Sequence, residues 1–341
     1  MLPVVFLSSE FPGLPQGLVE AHGSPFRTIL LPPGGTLLER LSKVSHTEKI
    51  SARAVVSLLT DRLDQATLTT LKEQLPNLAL VANYAVGFNN IDVQAAGALG
   101  VAVTNTPHVL GDATADLTLL LMLMVSRDVF PRALELREQG SFPGWAPRYG
   151  LGVDLAGRTL GLVGFGDIAR RVAVRAQALG MQVVALESLR DKAHATSSAN
   201  ASVNETCAVE RVSEKEFLAR TDVLSLHCPL TPQTRGWLNA ERLASLKKGT
   251  IVINTSRGEV VDENALANAL HSGHIFGAGL DVFCGEPVLS QVLRDAPRLL
   301  VLPHLGSATI ETRTAMGARV MENLMALLQG QSPLPYQISL S

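Results

Sequence analysis

Arg257, Glu286 and His304 each stand just beyond a short apolar run, Thr250–Asn254, Ala278–Val282 and Leu299–Leu302 in turn. They are a fixed cation, a carboxylate and an imidazole. An arginine grips a carboxylate with two parallel N–H groups and sets positive charge beside a neighbouring oxygen. An imidazole titrates near neutral pH and can hand a proton to that oxygen. A carboxylate on the other ring nitrogen would orient the ring, a task open to Glu286 and to Asp281 alike. Taken singly, each has a plain structural reading: a surface ion pair, a packed ring, an ordinary loop residue. Their recurrence after successive strands of one predicted sheet gives them weight. The set handles protons and charge but carries no electrons.

A source of electrons is written further upstream. Thr159, Leu160, Leu162 and Val163 suit a buried parallel strand. Gly164-Phe165-Gly166-Asp167-Ile168-Ala169 then fits G-x-G-x-x-[GA], and Ala169, Val172, Ala173, Ala176 and Leu179 follow at helical spacing. A glycine motif between a strand and a helix is the dinucleotide fingerprint. Gly164 permits the tight turn, Gly166 lets the backbone approach a pyrophosphate, and Ala169 lets the helix sit close to the strand. The helix start then faces the phosphates. A second strand, Met181–Leu186, ends at Glu187, 21 positions beyond Gly166. An acidic residue there takes the ribose hydroxyls and repels a 2′-phosphate, which favours NAD over NADP; Arg190 softens that preference. There is no H-E-x-x-H spacing and no G-x-S-x-G elbow. The chemistry is therefore expected to be the cofactor's hydride transfer, with no metal.

Strands must position these residues. Pro3–Leu7, Ala54–Leu59, Leu78–Ala82 and Val101–Thr104 read as strands, with helices over Thr36–Val44, over Asp64–Leu75 and from about Val93. That βαβαβ pattern predicts a small parallel-sheet domain without a glycine fingerprint, free to hold a substrate. Asp112 is a predicted N-cap of a long helix running through Leu117–Val125. That helix is apolar nearly all round and must be buried, in a core or partly by a second subunit. Gly140–Leu155 reads as a loop around Trp145, and Asp191–Asn204 as a surface excursion. From Leu160 onward the pattern is a second doubly wound sheet, with strands at Val223–His227 and the runs named above. Helices are expected over Ser213–Ala219, Asn239–Leu246, Asn264–His271 and Ile310–Leu328. Ligands bind beyond the carboxyl ends of such strands. That rule selects Gly164–Gly166, Glu187, His227, Arg257, Asp281–Glu286 and His304.

The 341 residues are 46% hydrophobic and 18% charged, with a net charge of −2. This leaves room for two domains and excludes a disordered chain. No basic run speaks for nucleic acid or an anionic membrane. Cys207, Cys228 and Cys284 match no metal or disulfide spacing, so a reducing compartment is expected. The Leu2–Leu7 run is too short for a signal-peptide core, and Leu117–Val125 too short for a membrane span. The expectation is a cytoplasmic protein.

Seven ordered motifs give a resemblance: NYAVGFNNID at Asn83–Asp92, ATADL at Ala113–Leu117, GLVGFGDIA at Gly161–Ala169, HCPLTPQT at His227–Thr234, NTSRGEVVDENAL at Asn254–Leu266, GAGLDVFCGEP at Gly277–Pro287 and PHLGSAT at Pro303–Thr309. Over nearly its full length the chain resembles the D-isomer-specific 2-hydroxyacid dehydrogenases, and among them the glyoxylate/hydroxypyruvate reductase branch. The resemblance implies two α/β domains of doubly wound parallel sheet, Rossmann-like or flavodoxin-like, with a cleft between them. It implies a substrate-binding domain over residues 1–105, an NAD-binding domain over 106–305, and a C-terminal segment, 306–341, returning to the first domain.

The resemblance also implies the activity, NAD(P)H-dependent reduction of a small 2-oxoacid such as glyoxylate or hydroxypyruvate to the D-2-hydroxyacid. His304 is then the acid/base, Glu286 its partner, and Arg257 the group that binds and polarises the substrate. Val86 and Gly87 hold the substrate carboxylate, and Asp281 lies near the nicotinamide amide. Gly164, Gly166, Asp167, Ile168, Glu187, His227, Pro229, Thr234, Thr255, Ser256, Arg257, Asp281, His304 and Gly306 form the expected cofactor site. The resemblance further implies a homodimer, with Trp145 reaching the neighbour's active site. D-lactate-type and phosphoglycerate-type dehydrogenases, and an NAD-sensing corepressor, are the alternatives within the same family. Three departures stand out, one of them the Glu187–Asp222 segment, several residues longer than is typical. Asp167 replaces an arginine or another phosphate-tolerant residue, so weaker cofactor binding is expected. Cys284 replaces a commonly acidic residue, with no chemistry assigned.

Overall fold

The computed structural model describes residues 2–14, 25–187 and 209–339. Arg190, the Asp191–Asn204 excursion and Cys207 lie outside the described residues. The chain forms two compact units, one of residues 1–110 with 308–341 and the other of residues 111–307. The crossings expected after residues 105 and 305 thus fall a few residues later, for reasons of contact within each unit. Thr106 donates its N–H to Ala85 at 2.9 Å, and Val109 and Leu110 pack on the first unit's core. Gly306 is hydrogen-bonded to Asp281 and Thr114 of the second unit.

The first unit is a five-stranded parallel sheet. Its strands are β1 (Val4–Leu7), β2 (Arg27–Leu30), β3 (Ala52–Ser57), β4 (Leu80–Asn83) and β5 (Ala102–Thr104), in the order β2-β1-β3-β4-β5. β2 escapes sequence reading because it is an edge strand whose Arg27 and Thr28 interrupt the apolar pattern. β1, β3 and β4 are buried almost throughout, as strands covered on both faces must be. Leu68 and Leu71 of helix Gln65–Gln74 seal one face, capped by the Asp64 side chain on Thr67 N–H. Met316, Val320 and Leu324 of helix Ile310–Leu328 seal the other.

The second unit is a seven-stranded parallel sheet, with β6 (Thr159–Val163), β7 (Gln182–Leu186), β8 (Glu210–Val212), β9 (Val223–Leu226), β10 (Thr250–Asn254), β11 (Ile275–Leu280) and β12 (Leu299–Val301). The order β12-β11-β10-β9-β6-β7-β8 reverses direction at β6, between β9 and β7. That is the switch point at which dinucleotides bind. The short edge strand β8 is not legible in the sequence as a strand. Helix Gly111–Ser126 begins one residue before Asp112, which therefore lies in the first turn rather than at the N-cap. The helix is only partly buried. Ala115, Leu121 and Met122 enter the core, while Leu120 and Leu123 are 46% and 42% exposed. A further helix, Val129–Gln139, precedes the loop that carries Trp145.

Candidate functional site

β6 runs into Gly164, whose φ of +84° lies in the left-handed region. A Cβ there would stand 2.8 Å from the Cys228 backbone, so glycine is required twice over. A Cβ on Gly166 would meet nothing within 4 Å. That open ground lies at the start of helix Asp167–Ala178, whose N-cap, Gly166, provides no side-chain cap. Ala169 is fully buried against the strand, and Ile168 packs beside it. The residues present fit a diphosphate here: uncapped helix amides, and no side chain in the way. Glu187 is exposed at the end of β7, its N–H donating to Val212 at 3.0 Å.

Asp167 points its carboxylate along the helix at Arg171, whose Nε donates to Oδ1 at 3.2 Å and Oδ2 at 3.1 Å. The expected repulsion between Asp167 and a pyrophosphate therefore meets a partner that sequence reading missed, although aspartate and arginine four apart on a helix were there to be read.

Beyond β9, the His227 ring lies 2.8 Å from Ser225 Oγ, and burial pushes its pKa down to about 4. The ring is neutral at pH 7. Thr234 Oγ1 donates to the Pro229 carbonyl at 2.6 Å and accepts from Thr231 N–H at 2.8 Å, which fixes the turn after it.

Beyond β10, buried Asn254 organises the loop. Its Oδ1 accepts from Ser256 N–H at 3.0 Å and Ser256 Oγ at 2.8 Å, and its Nδ2 donates to the Arg257 carbonyl at 2.9 Å. Nothing in its residue type or position reveals this clamp in the sequence. Thr255 Oγ1 lies 3.1 Å from Thr118 Oγ1. Arg257 donates to the Ser256 carbonyl at 2.6 Å. Burial lowers its pKa, opposed by the charges of Glu286 and Glu259.

The loops beyond β11 and β12 bring together residues 18 apart. His304 Nδ1 lies 2.9 Å from Glu286 Oε2, and Glu286 Oε1 accepts from Phe283 N–H at 3.1 Å. Burial acts to raise the Glu286 pKa, but the His304 hydrogen bond and charge, the Phe283 amide and Arg257 outweigh it, and the net shift is downward. Asp281 does not share the imidazole. Its side chain is almost wholly buried and accepts from Leu305 N–H at 2.6 Å and Gly306 N–H at 2.8 Å. Burial raises its pKa against those two amides. Residue chemistry left Asp281 and Glu286 both open and the resemblance pointed to Glu286; the imidazole contact is with Glu286.

Arg257, Glu286 and His304 all lie in the second unit. Val86 and Gly87 lie in the first, just after β4, where Asn105 Nδ2 donates to the Val86 carbonyl and Asn83 Nδ2 to the Gly87 carbonyl, both at 2.8 Å. Trp145 is 87% exposed. Cys284 donates its N–H to Glu263 at 2.6 Å, and burial, with the Glu263 carboxylate beside it, pushes its thiol up to about 12, which favours the protonated form. Among the described residues no cluster of three or more His, Cys, Asp or Glu could hold a metal ion, and no helix is long and apolar enough to cross a membrane.

Residues 119–306 match the D-isomer specific 2-hydroxyacid dehydrogenase, NAD binding domain. The glyoxylate reductase of Thermococcus litoralis is 39% identical over 340 residues, covering 98% of this chain and 96% of that one. The crystal structure of the TT0316 protein from Thermus thermophilus superposes with a TM-score of 0.83 at 37% identity, over 98% of this chain and 100% of that one. An NADPH-dependent glyoxylate/hydroxypyruvate reductase from Sinorhizobium meliloti, solved with NADP and malonate, has a TM-score of 0.76 at 29% identity, over 99% of this chain and 97% of that one.

Proposed function

The chain belongs to the D-isomer specific 2-hydroxyacid dehydrogenase family, and on that premise we propose that it is an NAD(P)H-dependent reductase of small 2-oxoacids, glyoxylate and hydroxypyruvate foremost. The observation that carries the reading is the 2.9 Å contact of His304 with Glu286, in the same unit as the Gly164–Gly166 turn. The bound cofactor would supply the hydride that reduces the 2-carbon.

The chain's own residues then have separate tasks. Arg257 binds the substrate carboxylate and sets positive charge beside the 2-oxo oxygen as negative charge develops there. His304 gives the proton from Nε2, because Nδ1 is engaged by Glu286. Glu286 keeps the ring in that orientation and stabilises its protonated form. Val86 and Gly87 belong to the backbone loop that holds the substrate carboxylate. For the cofactor, Gly164, Gly166, Asp167 and Ile168 flank the diphosphate, and Glu187 takes the ribose hydroxyls. His227, Pro229, Thr234, Thr255, Ser256, Asp281 and Gly306 line the remainder, with Arg257 and His304 at the nicotinamide end.

We also propose a homodimer and a cytoplasmic location. The exposed apolar side chains of Leu120, Leu123, Phe130, Leu134 and Trp145, all on the second unit, support a second copy as their cover, with Trp145 contributing to the neighbour's substrate site. Sedimentation at micromolar concentration tests the dimer, and a monomer would refute it. The activity is tested by following NADH and NADPH oxidation with glyoxylate, hydroxypyruvate, pyruvate and phosphohydroxypyruvate. Rapid turnover of the first two supports the reading. Tight NADH binding with negligible turnover of all four would overturn it in favour of a sensor.

A further inference from the structure

Helices Gly111–Ser126 and Asp167–Ala178 of the second unit are joined by a ladder of charged side chains. Arg171 Nε meets both oxygens of Asp167, and Arg171 Nη1 donates to Asp112 Oδ2 at 2.6 Å. Arg175 Nη2 donates to Asp112 Oδ1 at 2.8 Å, and Arg175 Nε to Asp116 Oδ1 at 2.6 Å. Arg171 is therefore held by an aspartate from each helix. Its guanidinium pKa is raised by the Asp167 hydrogen bond, and that of Asp112 is lowered, chiefly by Arg175.

The backbone opposite is built around this pair. A Cβ on Gly111 would stand 2.6 Å from Arg171 Nε and 2.6 Å from Asp167 Oδ2. Residue 111 must lack a side chain for the two groups to meet as they do. At the other end of the pair, Asp167 is the first residue of the helix that starts at open Gly166. An uncompensated carboxylate there would compete with a diphosphate for the same positive helix end.

We infer that Arg171 is a positioning residue for cofactor binding: by pairing with Asp167 across the space left by Gly111, it turns and neutralises the one carboxylate in the glycine turn and so lets that turn accept a dinucleotide diphosphate. This rests on the NAD(P) reading above. Arg171 touches no substrate and acts only through Asp167. Its effect is therefore conditional on Asp167 being charged, which a purely structural role would not be.

The test is titration of the full-length protein with NADH, followed by nicotinamide fluorescence at low salt, beside thermal unfolding of each variant. Arg171→Gln should weaken NADH about tenfold, equivalent to about 1.4 kcal/mol. Adding Asp167→Asn to that variant should recover most of the loss. In the wild-type background Asp167→Asn should tighten NADH by no more than about threefold, because its charge is already met. Added salt should shrink the Arg171→Gln defect. A defect that Asp167→Asn leaves in place would overturn the inference, since Arg171 would then act through packing. If Arg171→Gln does not fold, Asp167→Asn alone decides: tightening of about tenfold or more means an unmet carboxylate and sinks the proposal. Wild-type protein that binds neither NADH nor NADPH would instead remove the functional reading on which the inference stands.

Discussion

His304 donates its backbone N–H to the Asp281 carbonyl at 2.9 Å, while the Asp281 carboxylate accepts the next two amides, those of Leu305 and Gly306. One buried side chain thus sets the path of the loop that presents the imidazole, and His304 takes a φ of +57° within it. Asp281→Asn offers one acceptor where two are needed and turns an amino group toward an amide. The variant should lose about 1–3 kcal/mol of stability, read from urea unfolding, and kcat should fall at least about tenfold as His304 drifts. A variant of unchanged stability and kcat would remove Asp281 from this role.

His304→Ala should lower kcat by about 10²–10⁴-fold. Glu286→Gln keeps a hydrogen-bond partner for Nδ1 but loses the charge, so its loss should be smaller, about 10–100-fold. Steady-state kinetics with glyoxylate or hydroxypyruvate measures both. Turnover in His304→Ala equal to wild type would show that the proton comes from elsewhere.

Gly164→Ala combines a left-handed backbone with a methyl group 2.8 Å from the Cys228 main chain. The conformational penalty alone is about 1–2 kcal/mol, and the clash adds to it because backbone cannot swing aside. The expected outcome is a fall in Tm together with loss of NADH binding. A variant as stable as wild type would contradict the tight approach of these two strand ends.

His227 predicts a pH dependence of stability. Its ring is held below the ordinary 6.5, at about 4, by burial. Between those values the unfolded chain binds a proton that the folded chain refuses. The contribution of His227 to stability should therefore be flat above about pH 6.5 and fall as the pH drops toward about 4, by at most about 3 kcal/mol. Urea unfolding of the wild type and His227→Gln between about pH 7.5 and pH 4.5 measures this, and the variant should lack that slope. Parallel slopes for the two proteins would falsify the assignment to His227.

Much of the second unit was legible because its chemistry is local. Val163, Gly164 and Gly166 must be neighbours to make the turn, and Ile310–Leu328 of the first unit likewise carries its helical period unbroken. The weakly patterned elements were not legible. Helix His46–Ile50 buries none of its residues, and helix Gln291–Arg294 is a single turn that buries only Leu293. Residue type and position alone did not distinguish Asp281 from Glu286 as the partner of His304, although the family resemblance pointed to Glu286. Both are acidic, both follow β11, and only the folded loops show which carboxylate faces the ring and which faces the amides. The clamp made by Asn254 was invisible for the same reason. An asparagine at a strand end is ordinary until its hydrogen bonds are seen.

The two crossings of the chain, at Leu110/Gly111 and Ser307/Ala308, bear on the order in which the molecule is made. The second unit is continuous in sequence, so it has all its strands once residue 307 has left the ribosome. The first unit has its five strands by Thr104 but lacks the helix Ile310–Leu328 that covers Val5, Leu7 and Val56. Throughout synthesis of the entire second unit, that apolar sheet face waits for its lid. The second unit can thus be complete while one face of the first unit's sheet still lacks the helix that covers it.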